Sequence, residues 1–356
     1  MKIVVLKFGG TSVGSVDRIK KVANIIISYI KKKYRVIVAT SAMSGVTNDL
    51  VKKSNQISFN FVPEEYDVLV SAGEQISCAL ISGRLNHIGI KSRSWLSWQV
   101  PIFTEGEHKK SRIINVFKNR ILKYLKSGGV PIITGFQGVN NKNRLTTLER
   151  GGSDASAIMI SKYFKAEKCI IYTDVEGVFS TDPNFIKNAK KIKKISYEEM
   201  LEMSSLGAKV MQPNAVQASM INNISVHVRS TFSEKTGTKI VSENEADYKK
   251  VVTGIAYSKS NAKVSIVGVI DKPGVAADVF EPIGKNNINV NMVIQNTSLD
   301  GKTANITFTI KQEDLTKTLS IIEKNKEKLN YNKITHDDKL AKISVIGAGM
   351  IASPGV

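Results

Sequence analysis

Five short apolar runs, each closing in small or polar residues, set the terms on which this chain can fold. KIVVL (2–6) leads into Lys7, Gly9 and Gly10, and VIVAT (36–40) leads into SAMSGVTNDL. DVLV (67–70) leads into a Ser-Ala-Gly turn, VPIITGFQG (130–138) carries its own glycines, and CIIYTDVEGVF (169–179) reaches Thr173 and Asp174. Helical periodicity fills the intervals: Val16, Ile19, Val22, Ala23, Ile26 and Ile30 recur at helical steps, as do Ile76, Ala79 and Leu80. Buried strands alternating with helices predict an α/β fold, a mainly parallel sheet sandwiched by helices. Such sheets bind ligands beyond the carboxyl ends of their strands. Lys7 to Gly10, Ser41 to Thr47, Ser71 to Glu74, Gly135 to Gly138 and Thr173 with Asp174 are therefore expected to converge.

The character changes after about residue 240. SENEADYKK (242–250) is polar and charged and reads as a boundary. It would divide a domain at 1–241 from a smaller α+β region at 250–356. VSIVGVIDKPGV (264–275) resembles ISVIGAGMIASPGV (343–356), each giving a strand, a turn and Pro-Gly-Val where a helix should start. The first copy continues into a helix from Ala276 to Lys285 and a strand in NINVNMVIQ, completing a module over about 262–335. The second stops at Val356, so the last module is expected to be incomplete.

Composition narrows the class. The longest apolar stretches fall far short of the roughly 20 residues that a membrane helix needs, and Met1 and Lys2 run straight into the first strand, leaving no room for a signal peptide. Cys78 and Cys169 lie in apolar-periodic segments without motif spacing, as expected of buried free thiols in a reducing cytoplasm. A net charge of +20 raises the question of nucleic acid. The lysines are spread through helices and not interleaved with aromatics, so a solvated basic surface is the better account, one that can steer anionic small substrates.

Several motifs hold more than one meaning by themselves. Lys7 precedes Gly9 and Gly10, whereas the usual phosphate loop places its lysine after the glycines. Gly151, Gly152, Ser153 and Asp154 open a helix: either a plain capped helix with Ser153 as cap, or an anion site at its N-terminus. Arg150 adds a guanidinium fork suited to a carboxylate or phosphate. Glu74, after the Ser-Ala-Gly turn, is either a dipole partner in a first helical turn or a binding group, and Asp174 and Asp182 are by default turn residues. VIGAGMIA (345–352) matches a loose dinucleotide pattern but lacks the acidic residue about 20 positions on, and that reading is rejected. The four histidines show no metal-ligand spacing, and no protein metal site is expected.

In combination these segments resemble the aspartate kinases of the amino-acid kinase family. The likeness rests on KFGGTSV (7–13), SAMSGVTN (41–48), SAGEQIS (71–77), ERGGSDASA (149–157), YTDVEGVFSTDP (172–183) and LGAKVMQP (206–213). PGVAADVF (273–280) and NVNMVIQN (289–296) resemble the ACT regulatory modules of the same enzymes. The resemblance implies phosphoryl transfer from ATP to the side-chain carboxylate of L-aspartate, with Mg²⁺ arriving on the nucleotide. It places Lys7 and Asp154 at the transferring phosphate, with the Gly9 and Gly10 amides donating to it beside Phe8. Ser41, Thr47, Glu74, Arg150, Gly151, Gly152 and Ser153 would hold aspartate, Glu74 taking its ammonium and Arg150 its α-carboxylate. Thr173, Asp174, Phe179, Ser180, Thr181, Asp182, Lys209 and Val210 would line the nucleotide pocket. Asp271, Lys272, Pro273, Gly274, Val275, Ala276, Asn289, Val290, Asn291 and Gln295 would form a pocket for a feedback amino acid, lysine, threonine or both.

Such modules pair between subunits, so a homodimer or higher oligomer in the cytoplasm is the implied state. Two departures stand out: Met211-Gln212-Pro213-Asn214, where the family often carries arginine or histidine, and Glu176 in place of a more usual aspartate. Other readings are a kinase of glutamate, which differs from aspartate by one methylene, and a catalytically inert amino-acid sensor. A nucleic-acid binder rests on charge alone.

Overall fold

The computed structural model describes residues 1–149, 151–208, 210–246, 251–297, 301–350 and 353, and resolves into two compact units, 1–255 with 345–356 and 256–344. The division falls just beyond the polar stretch expected to mark it, of which 247–250 lie outside the described residues.

The first unit starts with β1 (Ile3–Phe8), buried along its whole length, then α1 (Val16–Lys31) and β2 (Arg35–Thr40). Next come α2 (Val46–Ile57), the long α3 (Pro63–His87), β3 (Ser92–Trp95), β4 (Ile102–Glu105) and β5 (Arg112–Val116). Then follow α4 (Asn119–Lys126), β6 (Val130–Thr134), β7 (Gln137–Val139), β8 (Leu145–Thr147), α5 (Gly152–Tyr163) and β9 (Lys168–Thr173). β10 (Lys194–Ser196), α6 (Tyr197–Ser205), α7 (Pro213–Ile221), β11 (Val226–Ser230) and β12 (Thr238–Val241) complete it.

Its main sheet has the order β10-β12-β11-β9-β1-β2-β6-β3 and is parallel except where β11 meets β12. Helices flank it, as the alternating pattern predicts. A smaller sheet, β5-β4-β7-β8, stands beside it. β1 lies at the centre, hydrogen-bonded to β2 and β9, so Lys7 stands in register with Ala39 on one side and Ile171 on the other. Val4, Leu6 and Phe8 pack with Ile19, Val22 and Ile26 of α1 and with Ile81 and Leu85 of α3. Removing that much apolar surface from water is the main force closing this layer.

One expectation fails here. Residues 67–70 are not a strand and 71–73 are not a turn; both lie inside α3, which runs unbroken for 25 residues. Pro63 sits at its first position, Glu64 and Glu65 in its first turn, and Arg84 and His87 in its last, all favourable to the helix dipole. Val70, Glu74, Ser77, Ile81 and Leu85 recur at helical spacing on its buried face. Gly73 is without a side chain because the helix crosses the loop after β2 closely. A Cβ built on Gly73 would stand 2.7 Å from the Cβ of Ala42. Buried Asp67 fastens the same helix to its surroundings, accepting from Thr147 at 2.5 Å and from the Lys109 amide, with His108 Nδ1 at 2.6 Å. His108, given no role by the sequence, is thus part of the framework.

The second unit contains most of β13 (Gly254–Ile270), then α8 (Val275–Lys285), β14 (Val293–Thr297), β15 (Thr303–Lys311), α9 (Leu315–Lys324), α10 (Lys326–Leu329) and most of β16 (Lys333–Ile346). Its sheet order is β14-β15-β13-β16, with β15 antiparallel to both neighbours. Ile266, Val279, Ile283, Phe308 and Ile322 form its core. The strand expected to begin a second module, β16, joins the sheet of the first. The Pro-Gly-Val at 354–356 lies outside the described residues.

The close crossing of α3 gives a direct test. Gly73→Ala gains about 1 kcal/mol of helix propensity but forces a methyl against an immovable neighbour, an overpacking cost of about 1–3 kcal/mol. The clash should win, lowering stability by up to about 2 kcal/mol in urea unfolding; a stabilised variant would show that the crossing is looser than described.

Candidate active site

The candidate site is assembled at the carboxyl end of the main sheet, around a charge inside it. Lys7 is 7% exposed, and its ammonium lies 2.6 Å from Oδ1 of Asp154, equally buried, in the first turn of α5. α5 packs across β1, β2 and β9, so the carboxylate reaches the strand from above its end. An ammonium buried without such a partner would cost several kcal/mol. Asp154 offsets that, and leaves the cation held but poorly hydrated.

The loops interlock around this pair. The Ser41 amide donates to the Phe8 carbonyl, and the Ser44 amide donates to the carbonyl of Gly10. Ser77 of α3 donates to the carbonyl of Ser41 at 2.7 Å, and the Ala42 amide donates to Glu74 Oε1 at 3.0 Å. Glu74, expected to open a helix, stands midway along α3 and is 3% exposed. Its Oε2 is buried with no hydrogen-bond partner among the described residues. Burial pushes its carboxyl up to about 7, against the opposing pull of the Ala42 amide and of the nearby Lys7 charge. Ser41 and Thr47 are half-buried close by in sequence, Thr47 in the first turn of α2.

Two further expectations are corrected. The Gly9 amide is not free for a phosphate, because it donates to the Tyr172 carbonyl of β9 at 3.0 Å. Neither does Ser153 cap α5. The N-cap is Gly151, at φ +80°, and no side chain caps the helix. Gly151 combines a left-handed conformation with a close approach, since its Cβ would fall 2.3 Å from Gln212. The unusual segment 211–214, which starts α7 at Pro213, is therefore what packs on the start of α5. Gly152 and Ser153 follow, both buried. Arg150 and Lys209 lie outside the described residues.

On the other side of β1, Thr173 ends β9 and donates to exposed Asp174 at 3.0 Å. Phe179 bridges to Lys191, and Ser180 pairs with the backbone of Lys190. Asp182 Oδ1 accepts from the Asn184 amide, which fixes the turn after half-buried Thr181. Val210 is half-buried. The sequence missed Ser12 and Thr231, whose hydroxyls lie 2.6 Å apart and link the KFGG loop to the end of β11. No local pattern marked them: β11 reads VHVRS, and its pairing with β9 is visible only in the fold.

In the second unit the expected effector segments do approach one another. Gly274 precedes α8 at φ +91°, with Lys272, Pro273, Val275 and Ala276 around it. Gln295 on β14 donates to Asp271 at 3.5 Å. Asn289 and Val290 precede Asn291, whose amide donates to Thr309 at 2.7 Å.

Comparison with known proteins agrees with this arrangement. Residues 2–230 match the model of the amino acid kinase family, and 264–325 match an ACT domain. The aspartokinase of Bacillus sp. (strain MGA3) is 41% identical over 356 residues, covering 100% of this chain and 86% of that protein. Among solved structures, Escherichia coli aspartokinase III in complex with aspartate and ADP superposes with a TM-score of 0.83. It has 24% identity, covers 100% of this chain and 90% of the other, and so speaks for the fold. The aspartate kinase of Synechocystis matches at 37% identity with a TM-score of 0.61, over 99% of this chain and 61% of that one.

The raised carboxyl has a consequence for stability. The folded chain keeps the Glu74 proton up to about pH 7, whereas the unfolded chain releases it near 4.5, so stability falls as pH rises between those values. Glu74→Gln removes a loss of about 3 kcal/mol. The variant should exceed the wild type in urea unfolding above pH 7, with the gap closing towards pH 4.5. Equal stability at both ends would contradict the assignment.

Proposed function

The chain belongs to the amino-acid kinase family, and from that premise we propose that it is an aspartate kinase. It transfers the γ-phosphoryl group of ATP to the β-carboxylate of L-aspartate, giving 4-phospho-L-aspartate. The observation that carries this reading is the sheltered Lys7–Asp154 pair with Glu74 within its electrostatic reach. A carboxylate nucleophile is already ionised at neutral pH, so the reaction needs no general base. It needs positioning, and neutralisation of the charge spread over the phosphoryl in flight.

Lys7 supplies that positive charge, and Asp154 aims it. Of the two glycines, Gly10 is assigned the phosphate-facing amide, because that of Gly9 is spent on β9. Glu74 takes the substrate ammonium, whose arrival releases the carboxyl proton. Ser41, Thr47 and the start of α5 at Gly151, Gly152 and Ser153 complete the aspartate site, with Arg150 on its α-carboxylate. Thr173, Asp174, Phe179, Ser180, Thr181, Asp182, Lys209 and Val210 line the nucleotide side. Mg²⁺ adds charge neutralisation when it comes with ATP. The oxygen donors of Asp154 and Asp174 suit its shell, which keeps several waters.

Residues 1–241 are assigned to the catalytic domain and 250–356 to the regulatory region; the family matches at 2–230 and 264–325 support that division, while 345–356 group with the first unit. Feedback by lysine or threonine acts through the segments that Asp271 and Gln295 join, and the ACT region pairs two copies of the chain in the cytoplasm.

Hydroxylamine trapping of the acyl phosphate tests the reading. With ATP, Mg²⁺ and L-aspartate the chain should yield hydroxamate, and with L-glutamate far less. The extra methylene of glutamate is worth about 1–3 kcal/mol, or roughly tenfold or more. Product from glutamate alone would move the chain to another acidic amino acid, and product from neither would overturn the kinase assignment.

A further inference from the structure

Between Glu74 and Glu149 the only acidic residues are Glu105 and Glu107. The fold gathers part of that basic stretch around a cavity of about 620 Å³ at the sheet edge, where β3 meets α4. None of its lining residues belongs to the site described above.

The lining follows from two spacings. Arg93 and Trp95 are two apart on β3 and share a face. Arg120, Lys123 and Tyr124 are three and four apart on α4 and share one too, and Trp98 closes the rim. The aromatic floor is fixed and the cations are exposed. Trp95 is 5% exposed and meets Tyr124 edge to face at 5.7 Å, while the Arg93 guanidinium lies 4.2 Å over the Trp95 ring. Tyr124 lies so close to the chain behind it that a Cβ on Gly129 would stand 2.4 Å from its ring. Moreover, the Trp95 indole N–H is buried with no hydrogen-bond partner among the described residues. A buried donor left unpaired is costly, and since this one is closed off from the cavity, contacts to a ligand fall to the exposed groups around it.

We propose that this cavity is a second nucleotide site, separate from the catalytic one, taking a free nucleoside phosphate. The base stacks on Trp98, which stands 53% exposed at the rim, and the phosphate is held by Arg93, Arg120 and Lys123. The volume suits one small ligand. The exposed Trp98 indole selects a planar ring, and three cations without a carboxylate in the lining select an anion.

The chain's two tryptophans are Trp95 and Trp98, so its tryptophan fluorescence reports on this cavity. Titration of the full chain with AMP should give saturable quenching. Adenosine and inorganic phosphate, each carrying half the chemistry, should bind at least about tenfold more weakly. Arg93→Gln with Arg120→Gln should weaken AMP binding by at least about tenfold, while leaving hydroxamate formation unchanged. Quenching that is absent, that survives in the double variant, or that phosphate alone reproduces with equal affinity would overturn the proposal. Saturable quenching by a short oligoadenylate but not by AMP would overturn it as well, pointing to a polynucleotide.

Discussion

Everything about the site depends on one buried ion pair. Lys7 stands on the central strand of the main sheet, flanked by β2 and β9, where a cation without a partner could not be kept. Asp154 meets it at 2.6 Å from the start of α5. That contact ties the helix to the sheet, and the start of α5 is in turn closed by Gln212 packing on Gly151. A buried pair of this kind is weak evidence for stability, since apolar replacements are often tolerated as well or better. Its value lies in placing a poorly hydrated positive charge where the strands end, which is what a phosphoryl group in transfer requires.

Glu74 complements this arrangement with a charge that is conditional. Desolvation keeps its carboxyl protonated up to about pH 7 in the free chain. An arriving ammonium would stabilise the ionised form, so the site spends fold stability to hold a latent negative charge. A site with one fixed cation and one such carboxyl is suited to a zwitterionic amino acid with a second carboxylate, and transfer to that carboxylate needs no acid–base residue.

Much of this was legible in the sequence, for a physical reason. Parallel strands buried on both faces read as continuous apolar runs, so β1, β2, β6 and β9, and the ligand-facing residues after them, stand out. α3 did not, because DVLV carries the β-branched residues of a strand and Ser-Ala-Gly the composition of a turn. Only the packing of Gly73 against Ala42 shows that this glycine serves a close crossing. Likewise, spacing cannot say which amides are already spent, and the Gly9 bond to Tyr172 became visible only when β9 was placed beside β1. The link between Ser12 and Thr231 joins residues 219 apart, beyond the reach of any local pattern. The cavity at β3 and α4 is similar: each half has a clear periodicity, but nothing in the sequence brings the halves together.

The central claim is that Lys7 neutralises the transferring phosphoryl and takes no part in holding aspartate. It is tested most directly by steady-state kinetics of Lys7→Ala, with Lys7→Arg alongside to keep a charge beside Asp154. The account predicts a kcat loss of about 10²–10³-fold in Lys7→Ala, an aspartate KM nearly unchanged, and partial recovery in Lys7→Arg. An unchanged kcat, or a loss confined to aspartate KM, would contradict it.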